Sequence, residues 1–219
     1  MTTTQLSFFK STEGDKWYSR NKKKLFSKKK FYENEIIYNE LSEFKKKINN
    51  ILHIGCSNGL KLKNLCNKFN AHGNGIDPSS TAINDGVCHL KKKSIKNVKL
   101  HLGDASVLPF NKSNFDIVFF GFCLYLIDRS LLNKSIKEAD RVLKNGGFLV
   151  ISDFDPGKLI KKNWGHNKKI KIYKDDYSKY FKKYYTLYKK SYTEYIGGKK
   201  RKHFSILPEN RVSVQILYK

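Results

Sequence analysis

With 219 residues, the chain suits one ordinary domain and can bury a sizeable core without disulfide or metal staples. Its 39% hydrophobic and 14% aromatic content excludes a wholly disordered chain, despite a formal net charge of +25. No apolar run reaches the roughly 18–20 residues of a membrane span, and Met1 to Leu6 lack the charged start and apolar middle of a signal peptide. The four cysteines (Cys56, Cys66, Cys88 and Cys123) form no CxxC pair, so neither zinc nor a disulfide framework is signalled. We expect a soluble, cytoplasmic protein with no metal and no membrane association; its oligomeric state is not legible.

The charge itself points weakly. A basic surface attracts phosphate, but only five of the 44 basic residues are Arg, the residue favoured for bidentate phosphate and guanine contacts. The lysines are scattered in short runs (22–24, 28–30, 45–47, 91–93) along the whole chain. Lys and Asn also have A-rich codons, so base composition alone would inflate both. A solvated surface is favoured over a nucleic-acid site.

Residues 1–30 are polar and Lys-rich and read as an N-terminal arm; residues 31–219 read as a single domain. From Phe31 to Ile48 apolar residues fall close to helical spacing (Ile36, Ile37, Leu41, Phe44, Ile48). The run Ile51 to Ile54 predicts a strand that ends in Gly55-Cys56-Ser57-Asn58-Gly59 and leads into a helix with Leu62, Leu65 and Phe69. A second strand ends at Asp77-Pro78, and a helix over 79–93 begins at a capping Ser79 or Ser80. Strands over 97–102 and 115–120 follow, then a helix over 130–143, stopped by Asn145-Gly146-Gly147. Phe148 to Ser152 is a buried strand. Tyr184 to Tyr195 and Val212 to Tyr218 read as two strands joined by a basic loop over 197–210. The alternation implies an α/β, Rossmann-like doubly wound sheet, mostly parallel, with an antiparallel C-terminal hairpin and helices on both faces.

In such sheets ligands bind beyond the carboxyl ends of the strands. Gly55 to Gly59 lie there, and their glycines permit a sharp turn close to a ligand. Asp77, about 20 residues on, ends the second strand where an acid can accept both ribose hydroxyls of an adenosine. Asp104, ending the third, could accept from an adenine amino group. A dinucleotide fingerprint is absent, because no third glycine stands at position 60.

These pieces resemble the class I S-adenosylmethionine-dependent methyltransferase family. Ile51 to Gly59 is similar to its first motif, Gly75-Ile76-Asp77-Pro78-Ser79 to its second, and His101 to Phe110 to its third. Phe115 to Phe120 resembles the fourth, and Arg141 to Gly147 the segment after it. The resemblance implies S-adenosylmethionine as cofactor and S-adenosylhomocysteine as product, held by His53, Gly55, Cys56, Ser57, Asn58, Gly59, Asp77, Pro78, Asp104, Ala105, Phe120 and Phe122. His53 stands where the family usually has an acid, and Ser57 replaces a common Gly. A neutral His can accept a bond there, whereas a protonated one would repel a sulfonium, so cofactor binding is expected to weaken below the His53 pKa, ~6.5 if unperturbed. Phe9 to Asn21, above all Glu13 to Asn21, resembles the leading segment of small bacterial methyltransferases of sugar and surface-glycan pathways. That resemblance implies Trp17, Arg20 and Asn21 folding over the cofactor, with Arg20 on the methionine carboxylate; alternatively Trp17 merely anchors the arm.

Methyl transfer is an in-line displacement, so positioning and exclusion of water dominate. The acceptor side is expected between Asp153 and Tyr177, with His166 and Asp153 as candidate bases and Asp155 as an alternative. Phe122 and Tyr125 read as packing or pocket wall rather than reactive groups. The expected activity is methyl transfer to an oxygen or nitrogen of a small molecule, a sugar or glycan precursor being the first candidate. An RNA or protein methyltransferase docking through the lysines is the runner-up, and a cofactor-binding module without turnover the third reading.

Overall fold

The computed structural model describes residues 5–28, 30–181, 183, 185–196, 199–201 and 204–219. The strand start expected at Tyr184 and parts of the 197–210 loop lie outside them.

The strands are β1 (Asn50–Ile54), β2 (His72–Asp77), β3 (Val98–Leu102), β4 (Phe115–Gly121), β5 (Leu143–Phe154), β6 (Ile160–Trp164), β7 (Asn167–Lys174), β8 (Thr186–Ile196), β9 (Lys199–Arg201) and β10 (Arg211–Tyr218). The principal sheet runs β3-β2-β1-β4-β5-β10-β8-β9. From β3 to β5 every pairing is parallel, with Ile54 in register with Ile76 on one side and Phe120 on the other. β10 inserts antiparallel between β5 and β8. Strand order therefore reverses between β1 and β4, and a crevice opens beyond their carboxyl ends.

The helices are α1 (Gln5–Phe8), α2 (Gly14–Ser27), α3 (Tyr32–Leu41), α4 (Leu60–Phe69), α5 (Ser80–Lys92) and α6 (Arg129–Val142). Period-two strands bury both faces. Ile51, Phe119 and Val150 pack with Ile37 and Leu41 of α3, Leu62 and Leu65 of α4 and Leu90 of α5. Leu52, Ile54, Phe120 and Leu149 pack on the opposite face with Leu132, Ala139 and Val142 of α6.

Two expectations needed correction. The glycines after α6 do not stop it: α6 ends at Val142, where Leu143 turns extended (φ −78°, ψ 133°), and β5 already contains Asn145-Gly146-Gly147. Gly146, at φ +76°, instead lets the strand start bend so that its N–H donates to Lys219 O (3.0 Å). The segment after β5, expected as the acceptor side, forms a separate antiparallel hairpin, β6–β7. The polar arm, for its part, is helical: α1 and a π-helical turn (Phe9–Glu13) lead into the 14-residue α2.

The arm is fastened at several places. The Gln5 side chain donates to Leu126 O (2.6 Å) and Lys171 O (2.9 Å) and accepts from the Lys171 amide. Phe8, Phe9 and Trp17 join a third apolar cluster around Tyr125, Phe154, Trp164, Ile170 and Val212. Asp15 reaches the N-terminus of α5, accepting from Ser79 Oγ (2.6 Å), Ser80 Oγ (3.2 Å) and the Thr81 amide (3.0 Å). An anion there complements the helix dipole.

Candidate functional site

A cavity of about 980 Å³ opens at the switch point, beneath the arm. Its floor is the turn after β1. Gly55 (φ +74°) and Ser57 (φ +52°) bend the chain back so that the amides of Gly55 and Cys56 donate to Ile76 O (2.9 and 3.2 Å). Only glycine takes such angles without strain at Gly55. Asp77, at the end of β2, accepts the Ser57 amide (2.8 Å) on Oδ2 and the Ser79 amide (2.9 Å) on Oδ1. Burial pushes its carboxyl up to about 6 against the downward pull of those two amides.

Asp104, after β3, accepts from the Ser106 amide (2.9 Å) and pairs with Lys10 of the arm (2.6 Å). Burial raises its pKa, but the bonds from Lys10 and Ser106 outweigh it and the net direction is down. Pro78, Ala105 and Asn58 line the same space, as do Trp17 and Asn21 of α2. The Asn21 amide group donates to Trp17 O (2.8 Å), within its own helix.

His53 lies in the cavity wall, buried, its ring stacked on Phe119 (centroids 4.5 Å, planes 6° apart). Burial first, and Lys61 second, push its pKa down to about 3. The imidazole is therefore neutral, which overturns the expectation of a charge change at mildly acid pH. Neither ring nitrogen has a hydrogen-bond partner, and Ser57 Oγ has none either. Polar atoms buried in a wall without partners are costly unless a ligand completes them.

The structure thus brings together Trp17, Asn21, His53, Gly55, Cys56, Ser57, Asn58, Asp77, Pro78, Asp104, Ala105 and Phe122 around one cavity. Six expected residues are not in its lining. Gly59 (φ +73°) caps α4, where a Cβ would meet Leu100 at 2.6 Å. Phe120 points into the core among α6 residues, because strand alternation sends it to that face. The Arg20 guanidinium instead sits over the Trp164 ring (5.6 Å).

His166 is exposed in the β6–β7 turn, its ring edge-on to Trp164. Asp153 is buried and accepts the Phe154 amide (2.7 Å) and the Tyr125 amide (3.3 Å). It braces a turn. Asp155 is engaged by Lys190 (2.7 Å) and Gln215 (3.2 Å). Neither candidate base faces the cavity.

Cys56 and Cys123 do line it, and burial pushes both thiols well up, so they are not thiolates. Sequence reasoning gave no individual role to Phe9 and Lys10 within the arm segment, and it missed Tyr195, which comes from a distant strand. It also missed Lys61, which pairs with the buried Glu33 (3.1 Å) beside His53.

The strand order, the glycine turn at the switch point and acids closing β2 and β3 define the fold of class I S-adenosylmethionine-dependent methyltransferases. A model of the methyltransferase domain family matches residues 45–199, and the chain belongs to that family. Demethylmenaquinone methyltransferase of Staphylococcus aureus is 36% identical over 108 residues, covering 49% of this chain and 39% of that enzyme. The match thus takes in about two-fifths of the length of the curated relatives.

Among solved structures, 1,6-didemethyltoxoflavin-N1-methyltransferase of Burkholderia thailandensis, with 1,6-didemethyltoxoflavin and S-adenosylhomocysteine bound, superposes with a TM-score of 0.69 at 13% identity, over 98% of this chain and 86% of that one. The MccD protein gives 0.65 at 21% identity (86% and 96%). A Methanosarcina mazei methyltransferase gives 0.63 at 20% (84% and 96%). These likenesses establish the fold.

Proposed function

We propose that the chain transfers a methyl group from S-adenosylmethionine to an oxygen or nitrogen of a small molecule. The observation that carries the reading is the single cavity in which the glycine turn, Asp77 and Asp104 meet the underside of the arm. The residues fit the cofactor: two acids stand at the ends of adjacent strands, and Ser57 Oγ and the His53 nitrogens are buried without partners. The volume is at the upper end for one drug-sized ligand, which leaves room for an acceptor.

In this reading Asp77 holds the ribose hydroxyls, and Pro78, Asp104 and Ala105 hold the adenine. The turn Gly55 to Asn58 and neutral His53 face the methionine end. When bound, S-adenosylmethionine supplies an electrophilic methyl on a sulfonium. The arm closes the cavity and excludes water, and Phe122 and Trp17 position the acceptor. His166 and Asp153 have no part in it.

A site recessed beneath a helical arm supports a small acceptor over a polymer, and so do the acceptors named in the relatives' own names. A sugar or glycan precursor rests on the Glu13 to Asn21 resemblance and belongs in the acceptor panel. The test is calorimetry with S-adenosylhomocysteine, followed by turnover of S-adenosylmethionine across that panel. We expect one site per chain and low dependence of acceptor binding on salt. No binding would end the reading, and a steep salt slope with RNA would favour the polymer acceptor.

A further inference from the structure

Beyond its cofactor end the cavity runs into an apolar wall drawn from distant parts of the chain. Phe9 and Trp17 come from the arm, Phe122 and Leu126 from the segment after β4, and Tyr195 from β8. All five pack against the third apolar cluster, yet all five remain partly uncovered. Side chains that only built a core would be closed over; these leave surface on one shared cavity.

Phe122 is the centre of the wall. Its ring centroid lies 4.9 Å from Phe154, 5.3 Å from Tyr125 and 5.4 Å from Tyr195. Its backbone sits at φ +63°, in the left-handed region that a bulky side chain rarely adopts. The Phe122 amide donates to Ser152 O (2.8 Å), which fixes the conformation. Such outliers persist where the surroundings over-determine them, and they gather at ligand sites.

Among the described residues, the wall also lacks an available base. Asp128 borders it, but Oδ1 accepts from the Ser130 amide and hydroxyl and Oδ2 from the Gln5 amide. Burial pushes the Tyr195 phenol up, so it is protonated and can donate. His53, further along the cavity, is neutral and too weakly basic to keep a captured proton.

Resting on the methyltransferase reading above, we propose that this wall takes a planar aromatic acceptor, stacked on Phe122 between Trp17 and Tyr195, whose own lone pair is ready to react. The reacting atom is a ring nitrogen or an oxygen already ionised on entry. Its lone pair forms the new bond to the methyl carbon, and the carbon–sulfur bond breaks with its electrons left on sulfur. An anionic acceptor leaves neutral, and a neutral ring nitrogen takes over the positive charge. No proton has to be removed by the protein.

The test uses the full chain with S-adenosylhomocysteine bound and three probes: 2-naphthol, its saturated counterpart decahydro-2-naphthol, and methyl α-glucoside. Calorimetry should show 2-naphthol binding about tenfold tighter than the saturated alcohol, the worth of ring stacking beyond area. Methyl α-glucoside should bind more weakly than 2-naphthol. Phe122→Leu keeps an apolar side chain but loses the flat face, so the preference should fall to about twofold or less in the variant saturated with S-adenosylhomocysteine. Tyr195→Leu provides the same comparison should Phe122→Leu fail to fold. Equal binding of the two alcohols by the unaltered protein, or tighter binding of the glucoside, would overturn the aromatic acceptor alone. Failure of S-adenosylhomocysteine to bind would overturn the underlying methyltransferase reading.

Discussion

At Asp77 and His53 burial moves two titrations in opposite directions, and each has a consequence that can be measured. The folded Asp77 pKa, about 6, lies above the ordinary 3.8. Between those values the native state holds the extra proton, so this group costs stability as pH rises through the window, and the full cost is present above about 6. Ribose hydroxyls need the ionised acceptor. S-adenosylhomocysteine affinity should therefore fall as pH drops below about 6, and Asp77→Asn should flatten both trends. Asp77→Ala should weaken binding by about 1.5–3 kcal/mol, the worth of hydrogen bonds to a charged group. Unchanged affinity in a folded variant would remove Asp77 from the site.

The sign reverses for His53, whose folded pKa of about 3 lies below its ordinary 6.5. The unfolded chain binds the proton across that window, so stability is lost as pH falls through it. The imidazole resonances should not titrate between about pH 5 and 8. His53→Gln should leave the pH profile of cofactor binding as it is in the unaltered protein, and a change in that profile would show that a protonated His53 takes part.

The elements legible in the sequence are those whose local pattern and tertiary role agree. β1, α4, β2 and α5 follow from apolar periodicity punctuated by glycines and acids, and Ser79 caps α5 as expected, accepting from the Ala82 amide (3.1 Å). The arm is less legible because α2 is polar almost all round and gains its order from docking. Its cavity-facing residues include Gly14, Trp17, Asn21, Lys24 and Leu25, which share one side of the helix. That spacing was available in the sequence but does not single out Arg20, which stands three after Trp17 and four before Lys24 yet turns to the Trp164 ring. The position of Phe122 was not, since a backbone reversal just past a strand breaks the alternation that sends Phe120 inward.

Docking through Asp15 gives the element its test. Burial raises the Asp15 pKa, but bonds from Ser79, Thr81 and Ser80 outweigh it and the net direction is down. Asp15→Ala should weaken arm docking by about 1–2 kcal/mol, in the range of a lost helix cap. Proteolysis within α2 should accelerate and S-adenosylhomocysteine affinity fall, with the thermal transition of the sheet little moved. Equal cleavage rates in both proteins would mean that Gln5, the Phe8, Phe9 and Trp17 contacts and the pairs of Lys10 with Asp104 and Lys22 with Asp85 hold the arm without Asp15.

Across the whole molecule the +25 charge sets the conditions under which the fold must hold. The acids are engaged: Asp85 with Lys22 (2.7 Å), Asp116 with Lys144 (2.7 Å), Glu35 with Lys68 (3.0 Å) and Glu40 with Lys189 (3.0 Å). Lysines outnumber them, and self-repulsion among the excess opposes compaction. Partly exposed pairs of this kind each contribute about 0–1 kcal/mol. Salt acts on both effects, weakening the pairs and screening the repulsion over a Debye length of about 10 Å at 0.1 M and about 3 Å at 1 M. With so many more like-charge neighbours than pairs, the repulsion should dominate. Raising potassium chloride from about 0.05 to 0.5 M should therefore raise the midpoint of thermal unfolding. A midpoint that falls with salt would show that the paired acids outweigh the excess lysines, and that the charge is organised as an ion-pair network.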